Sequence, residues 1–157
     1  MRKIKSVLFV CTGNSCRSIM AEALLKERLK ELGRDDVEVR SAGIRALEGL
    51  FPTPETIMAM KEEGADVEEF SAKNITDEMI RSSDLILVME DLHREEIISR
   101  FPAAASKTHL LKMFGRDPGE NHPEGSDIPD PIGRPLKDYK YCAGVIKKEI
   151  ERIVKLL

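Results

Sequence analysis

The stretch VLFVCTGNSCRSIMAEALL at residues 7–25 constrains the fold more than any other part of the chain. A β-branched and aromatic run ends on Cys11, a short polar loop follows, and apolar residues return at helical spacing after Arg17-Ser18. A strand entering a helix through so short a loop is half of a βαβ unit, and a parallel sheet must complete it. Further β-rich runs at 37–41 (VEVRS), 84–89 (DLILVM) and 108–113 (THLLKM) join the first strand at 4–10 (IKSVLFV). Helical patterns fill the intervals. Residues 18–32 place Ala21, Leu24, Leu25 and Leu32 toward one side. Thr53-Pro54-Glu55 reads as an N-cap with proline at the first helical position, opening a helix that stops at Gly64. Thr76 caps another helix over 76–82, residues 91–100 precede Pro102, and 136–157 form the last helix. The expected fold class is α/β: a three-layer, four-stranded parallel sheet with helices on both faces, in one domain over residues 1–157.

Composition sets outer bounds. With 41% hydrophobic and 34% charged residues the chain is globular, and a net charge of −3 gives no reason to expect nucleic acid or a membrane surface as partner. No apolar segment approaches the roughly 20 residues of a membrane span. The N-terminus, MRKIKSVLFVC, is basic then apolar, but its apolar run of about five residues falls short of the roughly 7–15 of a signal core. It reads as a first strand in a cytoplasmic protein. Three cysteines (Cys11, Cys16, Cys142) make no disulfide framework and suggest free thiols. His93, His109 and His122 form no metal pattern with them and read as structural or surface residues, so no metal or cofactor is expected.

The loop C-T-G-N-S-C-R-S is not a Walker loop, because no Gly-Lys-Ser/Thr follows, and it lacks the G-x-G-x-x-G dinucleotide fingerprint. It suits a tetrahedral dianion. Thr12, Gly13, Asn14, Ser15 and Cys16 can turn successive backbone N–H groups inward as an anion nest, and the new helix adds its unpaired N–H groups and positive dipole end. Arg17 can grip two phosphate oxygens with its planar fork. Cys11 then lies at the base of an electropositive bowl that favours thiolate, the nucleophilic form, and Ser18 is placed to donate a hydrogen bond to it. Gly13 permits close backbone approach and Asn14 tolerates a left-handed turn. A cysteine ending a buried strand is ordinarily a small core residue, and an arginine at a helix start opposes the dipole. Found together around Gly-Asn, they point to phosphoryl transfer through a cysteinyl-phosphate.

At these residues the sequence resembles the low-molecular-weight protein tyrosine phosphatases. The resemblance covers nearly the whole chain: VLFVCTGNSCRSIMAEAL, then VRSAG, SDLILVME and DPIG before the final helix. It implies a flavodoxin-like arrangement, no metal, a phosphorylated protein substrate and inorganic phosphate as product. It also implies an aspartate before proline that protonates the leaving group. Two Asp-Pro pairs occur in the Gly/Pro/Asp-rich loop 115–133, Asp117-Pro118 and Asp130-Pro131, and the family's position before the last helix selects Asp130, with Asp127 a weaker candidate. Ser41 resembles the serine that braces the loop asparagine, here Asn14. Glu90 falls where the family often has an acidic residue. Cys16 is either a partner for a reversible disulfide with Cys11 or a small buried residue, and Cys142 belongs to the core.

Substrate is where the chain departs from the family pattern. Tyrosine-specific members wall the slot with aromatics where this chain places Leu47 and Ile132. They also carry a bulky aliphatic where it has Ser15, close to the threonine of a bacterial protein-arginine phosphatase branch. The resemblance thus implies a metal-independent phosphatase acting on phosphotyrosine or, alternatively, phosphoarginine. Arsenate reduction would need resolving cysteines near the third strand, and IRSSDLILVMEDLHREE has none. A phosphate- or flavin-binding module would need the nest but not Cys11.

Overall fold

Both faces of the first strand are buried, and that decides the architecture. In the computed structural model, which describes residues 3–117, 119–120 and 125–157, β1 (Ser6–Cys11) lies between β2 (Glu38–Gly43) and β3 (Leu85–Val88), with β4 (Thr108–Leu110) beyond β3. All pairings are parallel. Val7, Phe9 and Cys11 of β1 join one core with α1 (Arg17–Glu31), α2 (Pro54–Glu62) and α5 (Leu136–Ile153). Leu8 and Val10 point to the other core, beside Ile80 of α3 (Asp77–Ser82) and Ile97 of α4 (Asp91–Arg100). A strand covered on both sides reads as an unbroken apolar run, as this one does. Each such side chain contributes about 1.5–3 kcal/mol by burial.

The sheet order β2-β1-β3-β4 is that of a flavodoxin-like, doubly wound fold, and the chain reverses its winding between β1 and β3. The crevice beyond the carboxyl ends of those strands is where such sheets bind ligands. Cys11 is the last residue of β1.

Several boundaries differ from expectation: β1 and β3 shift by one or two residues, and the last helix ends at Ile153 rather than Leu157. β2 runs on to Gly43 because Ala42 and Gly43 pair with Val10 and Cys11. β4 stops at Leu110, since the Met113 and Phe114 N–H groups turn back to its carbonyl. Leu32 is the C-cap of α1 and is 46% exposed, so it leaves the buried face formed by Ala21, Leu24 and Leu25. Thr53 caps α2 as expected, and Gly64 ends that segment with φ of 82°, a conformation glycine adopts without strain. Between β4 and α5 the described residues form neither helix nor strand. His122 and Pro118 lie outside the described residues.

Candidate active site

The bowl is built from the end of β1 and the start of α1. Asn14, with φ of 50°, makes the left-handed turn that returns the loop toward the helix. Its side chain is spent on bracing. Nδ2 donates to Ser18 Oγ at 2.7 Å and to Ser41 Oγ at 3.0 Å, while Oδ1 accepts the Lys73 N–H at 2.9 Å. Ser41 Oγ in turn donates to Glu22 Oε1 at 2.6 Å. Because Ser18 Oγ already accepts from Asn14, its own hydrogen is free to point at Cys11 Sγ, 2.9 Å away. A buried polar chain thus runs from a carboxylate to the sulfur, and each group in it has a partner.

Arg17 is 1% exposed at the first position of α1. Its Nη1 donates to the Ile128 carbonyl at 2.7 Å and lies 3.3 Å from Glu90 Oε2, and Nη2 lies 3.6 Å from Asp130 Oδ2. Burial works against the charge, but the Cys11 sulfur, Asp130 and Glu90 outweigh it and hold the guanidinium protonated. The Nε–Nη2 edge has no hydrogen-bond partner among the described residues, which leaves a fork for an anion.

Asp130 sits in the segment leading to α5, its Oδ1 accepting the Ile132 N–H at 3.1 Å and its Oδ2 near Arg17. Asp127 is engaged elsewhere, accepting the Asp91 N–H at 2.9 Å. Asp117 belongs to a separate turn with Glu120. Behind the Asp130 segment a cavity of about 320 Å³ is lined by Ile128, Pro131, Cys142 and Val145.

The remaining loop residues divide by exposure. Thr12, Gly13 and Ser15 are half-buried, while Cys16 is buried. A Cβ on Gly13 would meet nothing nearer than Ser15 Oγ at 3.5 Å, so the protein alone does not require glycine there. All three cysteines are free thiols. The adjacent Cys142 thiol, and then burial, push the Cys16 thiol far upward, so it stays protonated. Leu47 is 70% exposed in the β2–α2 segment, and Ile132, two residues past Asp130, is 52% exposed. Among the described residues no group of three or more His, Cys, Asp or Glu side chains is gathered where a metal could be held.

Three residues of the site escape the sequence reading. His93, expected to be structural or surface, is fully buried with Nε2 2.8 Å from Thr12 Oγ1, and burial, then Arg17, lower its pKa to about 4. Glu22 anchors the polar chain, and only its position one helical turn beyond Ser18 hinted at that. Gly43 is needed for contact: a Cβ there would lie 2.6 Å from the Thr12 carbonyl oxygen and 2.9 Å from the Asn14 nitrogen. Outside that set, Phe51 is 70% exposed in the same β2–α2 segment as Leu47.

A flavodoxin-like sheet whose first strand ends on a buried thiol, with a hydroxyl at 2.9 Å and a buried guanidinium opening the next helix, is a frame suited to an enzyme of phosphoryl transfer. Its relatives specify which kind. Residues 6–157 match the family model for low molecular weight phosphotyrosine protein phosphatase, and the chain belongs to that family. A protein-arginine-phosphatase of Geobacillus stearothermophilus is 38% identical over 153 residues, covering 96% of this chain and 95% of its own. The low molecular weight protein-tyrosine-phosphatase Etp of Escherichia coli is 33% identical over 158 residues, covering 99% and 96%. The crystal structure of a low molecular weight protein tyrosine phosphatase from T. tengcongensis superposes with a TM-score of 0.87 at 36% identity, covering 97% of this chain and 99% of that one.

Proposed function

We propose that residues 1–157 form a single catalytic domain that hydrolyses phosphorylated protein side chains in the cytoplasm, without metal or cofactor, through a cysteinyl-phosphate on Cys11. The observation that carries the reading is the Ser18 hydroxyl, oriented by Asn14 onto the Cys11 sulfur beside Arg17. The N–H groups of Thr12, Gly13, Asn14, Ser15 and Cys16 and the free edge of Arg17 receive the phosphoryl oxygens. Cys11 Sγ attacks phosphorus as the bond to the leaving atom breaks, and Asp130 supplies the proton that atom needs. Asp130 Oδ2 is the oxygen for this task, since Oδ1 is occupied by the Ile132 N–H. The incoming anion competes with Oδ2 for Arg17 and so releases it toward the leaving group. Water then attacks the phosphocysteine, Asp130 takes its proton, and the Cys11 thiolate departs with Ser18 stabilising it. Inorganic phosphate is the product.

Phosphotyrosine is the substrate this reading names, and Phe51, exposed in the same β2–α2 segment as Leu47, is the aromatic side chain that segment offers for ring stacking. Phosphoarginine is the second reading, favoured by the small Ser15, by the aliphatic Leu47 and Ile132, and by the likeness to the Geobacillus protein. Hydrolysis of p-nitrophenyl phosphate, indifferent to chelator and abolished by Cys11→Ser, tests the mechanism. Catalytic efficiencies on phosphotyrosine and phosphoarginine peptides, measured side by side with Phe51→Ala, test the substrate. Loss confined to phosphotyrosine in that variant supports the first reading, and a preference for phosphoarginine in the native enzyme overturns it.

A further inference from the structure

His93 makes two hydrogen bonds, and their directions follow from each other. The backbone N–H of Glu90 donates to Nδ1 at 3.1 Å, so that nitrogen carries the lone pair and the hydrogen resides on Nε2. Nε2–H therefore donates to Thr12 Oγ1 at 2.8 Å. The residues at its two ends matter. Thr12 follows Cys11 directly, and its carbonyl also receives the Arg45 N–H at 2.9 Å. Glu90 is the N-cap of α4, and its carboxylate lies 3.3 Å from Arg17. One imidazole thus ties the nest to the residue that faces the guanidinium. The ring is fully buried, and with its pKa lowered to about 4 by burial and Arg17 it stays neutral at ordinary pH.

We propose that His93, in its Nε2–H form, is a positioning residue that clamps Thr12 and so fixes the backbone of the phosphate nest for catalysis. The inference rests on the phosphatase reading above and extends it to a residue on the far side of the sheet. The Ile44 and Arg45 N–H groups hold the Cys11 and Thr12 carbonyls from the β2 side. The clamp adds a side-chain restraint on Thr12 from α4, so its loss loosens the aim of the first N–H after the nucleophile.

Four variants test it. In His93→Asn the shorter amide can still accept the Glu90 N–H but cannot reach Thr12, whereas in His93→Gln the amide nitrogen can take the place of Nε2. Thr12→Val removes the hydroxyl from the other side. Catalytic efficiency toward p-nitrophenyl phosphate should fall about tenfold in His93→Asn and equally in Thr12→Val, the scale of one buried hydrogen bond. His93→Gln should recover to within about threefold of native, and inhibition by inorganic phosphate should weaken in parallel with the losses. In the double variant His93→Asn/Thr12→Val the second change should cost nothing further, because both remove the same contact. Native efficiency in Thr12→Val, losses that multiply in the double variant, or His93→Gln no better than His93→Asn would each overturn the proposal. Thr12→Val leaves α4 untouched, so it decides the question even if His93→Asn fails to fold. An inactive native enzyme would instead sink the phosphatase reading itself.

Discussion

Ser18→Ala isolates the step at which the sulfur must leave. The hydroxyl stands between Asn14 Nδ2 at 2.7 Å and Cys11 Sγ at 2.9 Å, and in the proposed cycle it donates to a thiolate when phosphocysteine breaks down. Hydrogen bonds to charged groups contribute about 1.5–3 kcal/mol. That corresponds to a loss of about 10- to 150-fold in the rate of breakdown, at about 1.4 kcal/mol per decade. Attack by Cys11 is less affected, because the donor that steadies the leaving thiolate also tempers the nucleophile. Breakdown should therefore become rate-limiting. Stopped-flow mixing of the variant with p-nitrophenyl phosphate should show a burst of nitrophenolate close to one equivalent per enzyme, followed by a slow steady state. The variant also leaves one Asn14 N–H without its acceptor, at a further cost of about 1–3 kcal/mol that appears as a lower melting temperature rather than in the burst. A steady-state rate within about twofold of native, or a slow rate with no burst, would refute the role given to Ser18.

Two further predictions concern the frame. Gly43→Ala should loosen the nest, since its Cβ would meet the Thr12 carbonyl oxygen at 2.6 Å and neither atom belongs to a flexible side chain. We expect a cost of about 1–3 kcal/mol in unfolding free energy together with weaker phosphate inhibition, and an unchanged phosphate constant would contradict it. His93 should make stability pH-dependent. Its folded pKa of about 4 lies below the ordinary 6.5, so the unfolded chain binds the extra proton between those values and stability falls as pH falls through that window. The shift corresponds to about 3 kcal/mol at most, fully present above pH 6.5. Arg17 opposes the proton on the ring, while Asp127, Asp130 and Glu90 favour it. Denaturant melts of His93→Gln should lose most of that slope, and a slope equal to native would assign it to other groups.

The bowl was legible because its parts are contiguous: strand, thiol, turn, guanidinium and hydroxyl follow one another in eight residues from Cys11 to Ser18. The sheet was legible for a similar reason, since strands buried on both faces announce themselves as apolar runs. What could not be read was contact across the chain. Thr12 and His93 are 81 positions apart, and an isolated histidine in a helical segment carries no mark of its partner. Gly43 could be quoted as part of VRSAG, but its steric reason exists only once β2 lies against the nest. Of the two Asp-Pro pairs, position before the last helix already selected Asp130, but not its contact with Arg17. Only folding brings Asp130 to within 3.6 Å of Arg17 and leaves Asp117 in a turn of its own.

The central claim is a covalent phosphoryl group on Cys11, and trapping it is the most direct test. Asp130→Ala should bind substrate but lack the group that activates water, so the intermediate should build up when a reactive phosphate ester supplies its own leaving group. Rapid quenching of that variant with p-nitrophenyl phosphate, followed by peptide mass mapping, should find one phosphoryl group on the peptide containing Cys11 and none in Asp130→Ala/Cys11→Ala. A phosphoryl group on any other residue, or unmodified Cys11 in a variant that still releases nitrophenolate, would contradict the account.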